Sequence, residues 1–288
     1  MAEGTLRATI HALESAHMKK LDDILDRAVA AHTELMTFTQ TALQGFGWAT
    51  SALGIHELMQ RDPTLRWTYD SREKHLQQAQ KAQAFASDQE ERGFPYLWYL
   101  ASVRLWTILE SMADDLTLET LRHHELLPPD SPLHELSGPL LTFLSAAPEQ
   151  RAEQLTDLLK NKLRAGFKLG VGRLEALLDA VGLGGPVQED VRRSLLELSQ
   201  VRHLVVHKNG IVDRRFEKAC PWVGLQVGHP LLLNEANFRA FSHAADWYIV
   251  ELSERVWRAT DKGPEPGVHE LKESLVTALR RCRLTEDS

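Results

Sequence analysis

The chain has 288 residues, of which 43% are apolar and 25% charged, and a formal net charge of −7. This composition excludes disordered, collagenous and coiled-coil-only proteins, and a chain of this length buries a core without staples. The acidic balance argues against a protein that coats nucleic acid through many phosphate contacts.

No apolar run approaches the ~18 to 20 residues of a membrane span, and the first twenty residues hold no continuous apolar stretch of the kind an export signal needs. Cys220 and Cys282 are the only cysteines, too few for a disulfide framework or a four-cysteine metal site. A cytoplasmic protein without a cofactor or structural zinc is expected.

In chain order, Leu6, Ile10, Leu13, His17, Leu21, Ile24, Ala28, Ala31, Leu35, Phe38 and Ala42 recur at intervals of three and four, which predicts one long amphipathic helix ending near Gly45 and Gly47. A second, polar helix is expected over 70–89, where the apolar stripe is thin. Residues 94–121 are aromatic and aliphatic on several faces, as in a helix buried all round. Four prolines and a glycine in 126–139 exclude a continuous helix. Helical periodicity returns over 150–183, Gly184, Gly185 and Pro186 break it, and a further helix runs from Val187 to about Lys208 with Asn209 and Gly210 at its C-cap. A short β-hairpin is expected over 223–233 and a last long helix over 234–258, with a charged tail beyond Pro264 and Gly267. The expected organisation is all-α: an N-terminal helical arm or hairpin over 1–89, a helical bundle over 90–260 and a charged tail over 261–288.

The helix over 187–208 carries the chemistry. At about 100° per residue, Val187, Val191, Leu195, Leu198 and Val205 share one face, and Arg202 falls on that same face. A guanidinium in an apolar stripe is costly unless an anion meets it, so Arg202 needs a partner or a cleft. His203 and His207 stack one turn apart. A fixed cation and two groups that titrate near neutrality are the parts of a metal-free phosphodiester-cleaving site: one imidazole takes the proton of a ribose 2′-hydroxyl while the guanidinium stabilises charge building on the phosphate.

The run VRHLVVHKNGIVD, followed by Arg214, Arg215 and Phe216, resembles the motif of HEPN-domain ribonucleases, in which an arginine, a polar residue, three further residues and a histidine lie near a helix end. It is most similar to the branch called RiboL-PSP-HEPN, whose opening core helix resembles YLASVRLWTILESMADDL, with Glu110 in the place of an acidic residue of structural support. The resemblance covers about 90–260 and implies a HEPN-type antiparallel bundle. It implies phosphate binding by Arg202, proton transfer by His207, assistance from His203, a homodimer with a composite cleft, and RNA cut to a 2′,3′-cyclic phosphate in a toxin or phage-defence role. It also leaves open a HEPN module that binds a partner protein and has no activity.

Arginine and histidine at this spacing also occur as Arg27 and His32, but with only Ala28, Val29, Ala30 and Ala31 between them and no capping flank. The bare spacing is a weak signal. Lys208 and Asn209, at the helix end, and Lys160, Arg164 and Lys168, spaced by four in a stretch free of acidic residues from Leu158 to Arg173, are the candidate substrate-binding residues. A solvated face is the ordinary alternative for that basic stretch. His203 and His207 have the spacing of helical metal ligands but lack a third, so no metal is expected. Trp98, Trp106 and Trp247 read as core, and Trp222 as a residue that could stack on a base.

Overall fold

The computed structural model describes residues 2–62, 64, 65, 68–122, 131, 133, 136–138, 140–164, 169–259, 263 and 265–284. Among them are eleven α-helices and no strand. They are α1 (Ala2–Ala49), α2 (Ala52–Arg61), α3 (Tyr69–Glu91), α4 (Pro95–Arg122), α5 (Leu140–Ser145), α6 (Pro148–Arg164), α7 (Val171–Asp179), α8 (Glu189–Lys208), α9 (Arg214–Ala219), α10 (Glu235–Ala259) and α11 (Val268–Leu284), with a 3-10 turn at Pro221–Val223 between α9 and α10.

The centre of the bundle is α4, which touches α1, α6, α7, α8 and α10. Its sequence explains the place. Leu105, Leu109, Met112 and Leu116 recur at helical spacing, while Trp98, Trp106, Ile108 and Ala113 make other faces apolar, so it can be covered on several sides. Trp98 is nearly buried and stacks on Phe238 of α10 at 5.2 Å between centroids; Trp106 and Trp247 are core as well.

Four expectations need correction. The first helix does not stop at Gly45 and Gly47 but runs to Ala49. Glycine inside a helix costs only about 1 kcal/mol, and Phe46 offsets it by packing on Phe94 and Phe85 at 5.2 and 6.1 Å. This helix packs into the bundle: Leu21, Ile24, Leu25, Ala28 and Leu35 belong to the same core as α4, α8 and α10.

The stretch 150–183 is two helices, α6 and α7. Gly170, at φ +56°, caps α7 where a side-chain Cβ would lie 2.7 Å from the Leu196 Cα of α8, so both the backbone angle and the close approach require glycine. The expected hairpin over 223–233 does not pair with itself. It folds over the end of α8: Val212 N–H donates to His229 O at 2.9 Å, Gly228 N–H to Val212 O at 2.9 Å and Leu231 N–H to Gly210 O at 2.8 Å, around an isolated antiparallel bridge between Ile211 and Pro230. Proline has no N–H for a ladder and Gly228, at φ +90°, turns the chain, so the segment completes its hydrogen bonds with a neighbour.

The fourth correction is the charged tail, most of which is α11. Val276 and Leu279 enter the core, Lys272 binds Glu251 and Glu254 of α10, and the Lys272 ammonium sits 5.1 Å from the Trp247 ring centroid. The charges hid an apolar stripe at 268, 276 and 279. No helix among the described residues is long and apolar enough to cross a membrane.

Candidate functional site

The sequence motif lies on the last two turns of α8. Leu195, Leu198, Val201 and Leu204 are fully buried and fix the helix against α4 and α10. At its end Asn209 adopts the left-handed conformation (φ +50°), Gly210 follows at φ +72°, and the N–H groups of both donate to Leu204 O. This is the C-cap expected from Asn-Gly, and it leaves His207, Lys208 and Asn209 exposed at the helix end. Gly210 lies under the Tyr99 ring of α4, whose hydroxyl donates to Leu231 O, so α4 and the 228–231 crossing hold the cap in place.

Arg202 is partly buried and makes no hydrogen bond or ion pair within the described residues, and its Nε is shielded from solvent without an acceptor. His203 is three-quarters buried, with its ring centroid 5.1 Å from that of His207. Its Nε2 stands 3.7 Å from Asp213 Oδ2, an ion-pair distance and not a hydrogen bond. Desolvation lowers the His203 pKa, the Arg215, His207 and Lys208 charges add to this, and Asp213 opposes it. The ring is therefore biased toward the neutral form, the one that accepts a proton.

Two neighbours of the histidines carry no role in the sequence reading. Asp213 N-caps α9, accepting from Phe216 N–H at 2.9 Å through Oδ1, which aims its other oxygen at His203. Arg215 donates through Nε to Gln200 Oε1 at 3.1 Å, and Gln200 is almost fully buried. The aspartate three residues before Phe216 is a legible cap signal; that α9 folds back onto α8 is a tertiary fact.

The remaining candidates fall elsewhere. Glu110 is not joined to Arg202 or the histidines; its carboxylate lies 4.0 Å from Arg173 of α7. Lys160 binds Asp114 of α4 at 2.8 Å, an ion pair that ties α6 to α4 and occupies its ammonium. Lys168 and the side chain of Arg164 lie outside the described residues. Arg27, of the second arginine and histidine at this spacing, pairs with Asp115 at 3.3 Å. Its partner His32 is buried between Asp246 (2.7 Å, through Nδ1) and Ser242 Oγ (2.9 Å, through Nε2). These are the distances of a nucleophilic triad, but Ser242 sits inside α10, where backbone N–H groups are committed to the helix and no oxyanion hole forms. The chain Asp246, His32, Ser242 clamps α1 to α10.

Among the described residues no group of three or more histidine, cysteine, aspartate or glutamate side chains is placed to hold a metal ion. Cys220 and Cys282 form no disulfide among the described residues; burial first, and then Glu197, pushes the Cys220 pKa up to about 12, so it is inert as a nucleophile. Comparison with protein-family models, with curated proteins and with solved structures found no match for this chain.

Proposed function

We propose that the protein is a metal-independent endoribonuclease of HEPN type, acting as a homodimer, with Arg202, His203 and His207 of α8 at its site. The observation that carries this reading is Arg202. A guanidinium on the packed face of α8 that meets no protein anion among the described residues retains its capacity to bind a phosphate. His203, biased toward the neutral form and lying beside His207, supplies a base that takes the proton of the 2′-hydroxyl; at the exposed helix end the imidazolium form of His207 supplies a separate proton to the leaving 5′-oxygen.

The wheel of α8 puts His207 about 140° round the helix from Arg202 and about 7.5 Å further along. One helix therefore does not aim both groups at one phosphate directly, and a second copy of α8 across a two-fold axis supplies the missing half. Exposed Val206, Ile211 and Leu232 around the cap offer apolar surface for that contact. Lys208, Arg214, Arg215 and Lys218 add exposed positive charge there for an RNA backbone, while the chain as a whole stays acidic. A toxin or antiviral-defence role, cytoplasmic and with a neutralising or activating partner protein, accords with such an enzyme.

The test is incubation of the purified protein with RNA in excess chelator. Cleavage that persists with chelator, leaves 2′,3′-cyclic phosphate ends and is lost in His207→Ala is expected. Chelator-sensitive cleavage refutes the metal-free mechanism. A folded protein without nuclease activity, whose Arg202→Ala and His207→Ala variants still bind a cellular partner, establishes instead the interaction module implied by the same resemblance.

A further inference from the structure

A second cluster of arginines with unmet donors lies on the other side of α8. Arg193 is nine residues before Arg202, hence about 14 Å along the helix and about 180° round it. It borders a cavity of about 580 Å³ between α8, α10, α11 and the 3-10 turn, a size typical of small-molecule sites. Three guanidiniums line it. That of Arg280 is satisfied, with Nε and Nη2 on Asp190 Oδ2 at 2.8 and 2.7 Å. The other two are not: Arg193 Nε and Arg283 Nη2 are both shielded from solvent and without an acceptor.

The remaining carboxylate is Glu197. It accepts from the Trp222 indole N–H at 3.2 Å but stays 3.8 Å from Arg283 Nη2, beyond hydrogen-bond reach. Desolvation raises its pKa, which weakens its hold on the arginines further. The Arg193 guanidinium lies 4.4 Å from the centroid of the Trp222 ring, and Trp222, Val223 and Phe241 form an apolar wall. The cavity thus offers two under-used cations from two helices beside a flat apolar surface. One planar carboxylate, as Glu197 demonstrates, does not reach both partners. A tetrahedral dianion presents oxygens in more directions and can accept from two guanidiniums at once.

We propose that this cavity binds a small phosphate monoester carrying an apolar ring, with the phosphate between Arg193 and Arg283 and the ring against Trp222, Val223 and Phe241. The site is independent of the nuclease reading, since it needs neither Arg202 nor a second copy of the chain.

Titration calorimetry of the full chain with phenyl phosphate, inorganic phosphate, benzoate and phenol tests it. Saturable binding of phenyl phosphate, at least about tenfold tighter than each of the other three, is expected, as is weakening of about tenfold or more in Arg193→Gln and in Arg283→Gln. Arg193 is partly buried in helix α8 of the bundle, so Arg283→Gln in the last turn of α11 is the second variant, and circular dichroism melts show that each is folded. The proposal is overturned by absence of saturation at millimolar phenyl phosphate. Equal binding of phenol or benzoate overturns it too, as does unchanged affinity in the folded variants.

Discussion

Arg202 and Arg255 occupy similar positions in the sequence, each inside a long helix with a buried apolar face, and they end in opposite states. Arg255 of α10 is 5% exposed, and its three nitrogens have acceptors: Nε on Glu251 at 2.9 Å, Nη1 on both Glu175 oxygens at 3.0 and 2.9 Å and on Leu183 O, and Nη2 on Pro186 O. Tyr248 donates to the same Glu175 at 2.6 Å, and Gly185 is placed so that a side-chain Cβ would meet the guanidinium. Desolvation alone would lower the Arg255 pKa, but Glu175 and Glu251 outweigh it and hold it above the ordinary value. A buried cation whose needs are met by its own chain is a structural joint, here binding the 183–186 connection to α10. The same group at Arg202 meets no acceptor among the described residues and keeps its donors open.

Function separates the two arginines most widely. Arg202→Ala and His207→Ala should each lower RNA cleavage by about 10²-fold or more, the scale of a lost transition-state or proton-transfer group, and both should melt close to the wild type, because Arg202 has no hydrogen bond or ion pair to lose among the described residues and the exposed His207 loses only its ring contact with His203. A gel assay on a labelled RNA beside a melting curve checks both halves. Stability comes next: Arg255→Ala leaves the partly buried Glu175 without its cation and Glu251 with only Lys272 and Arg258, and should cost about 3 to 5 kcal/mol, read from urea unfolding, whereas Arg202→Leu should change stability by less than about 1 kcal/mol. Equal destabilisation by the two would erase the distinction drawn between them.

The pH response sharpens it further. His203 and His243 both have lowered pKa values, chiefly by desolvation, with Asp213 and Asp246 respectively opposing. A histidine whose folded pKa is depressed contributes stability that is present above its unfolded pKa of about 6.5 and is lost as pH falls through the folded value. Stability should therefore decline below about pH 6.5, and His243→Gln should flatten the decline. Imidazole proton shifts followed by NMR identify which ring titrates. The smallest effect belongs to Lys160→Ala, which removes a partly exposed ion pair with Asp114; a loss of about 1 kcal/mol or less with unchanged RNA cleavage is expected.

The helical class, the long first helix, the buried character of α4 and the Asn-Gly cap of α8 were legible in the sequence because each depends on local spacing or on one residue's backbone preference. Asn209 and Gly210 could only end a helix there, and Leu105, Leu109, Met112 and Leu116 could only be covered. The misread segments share a cause. The 223–233 stretch has strand-like residues, yet its hydrogen bonds go to 210–212; α11 looked like a solvated tail because Glu270, Lys272, Glu273, Arg280 and Arg281 outnumber the few side chains it buries. For the site, the spacing of Arg202, His203 and His207 was visible from the start, and so was the cost of placing Arg202 in an apolar stripe.

What the sequence determined by itself, then, is that a guanidinium would stand among leucines on α8 and that two imidazoles would stack beside it, since helical periodicity dictates both. Whether an anion of the same chain would neutralise that guanidinium was decided only by the tertiary structure. Counter-charges such as Asp114, Glu175 and Asp190 reach Lys160, Arg255 and Arg280 from helices distant in sequence, and packing brings none of them to Arg202. Charge pairing across a bundle is set by which helices become neighbours, and no spacing along one helix encodes that.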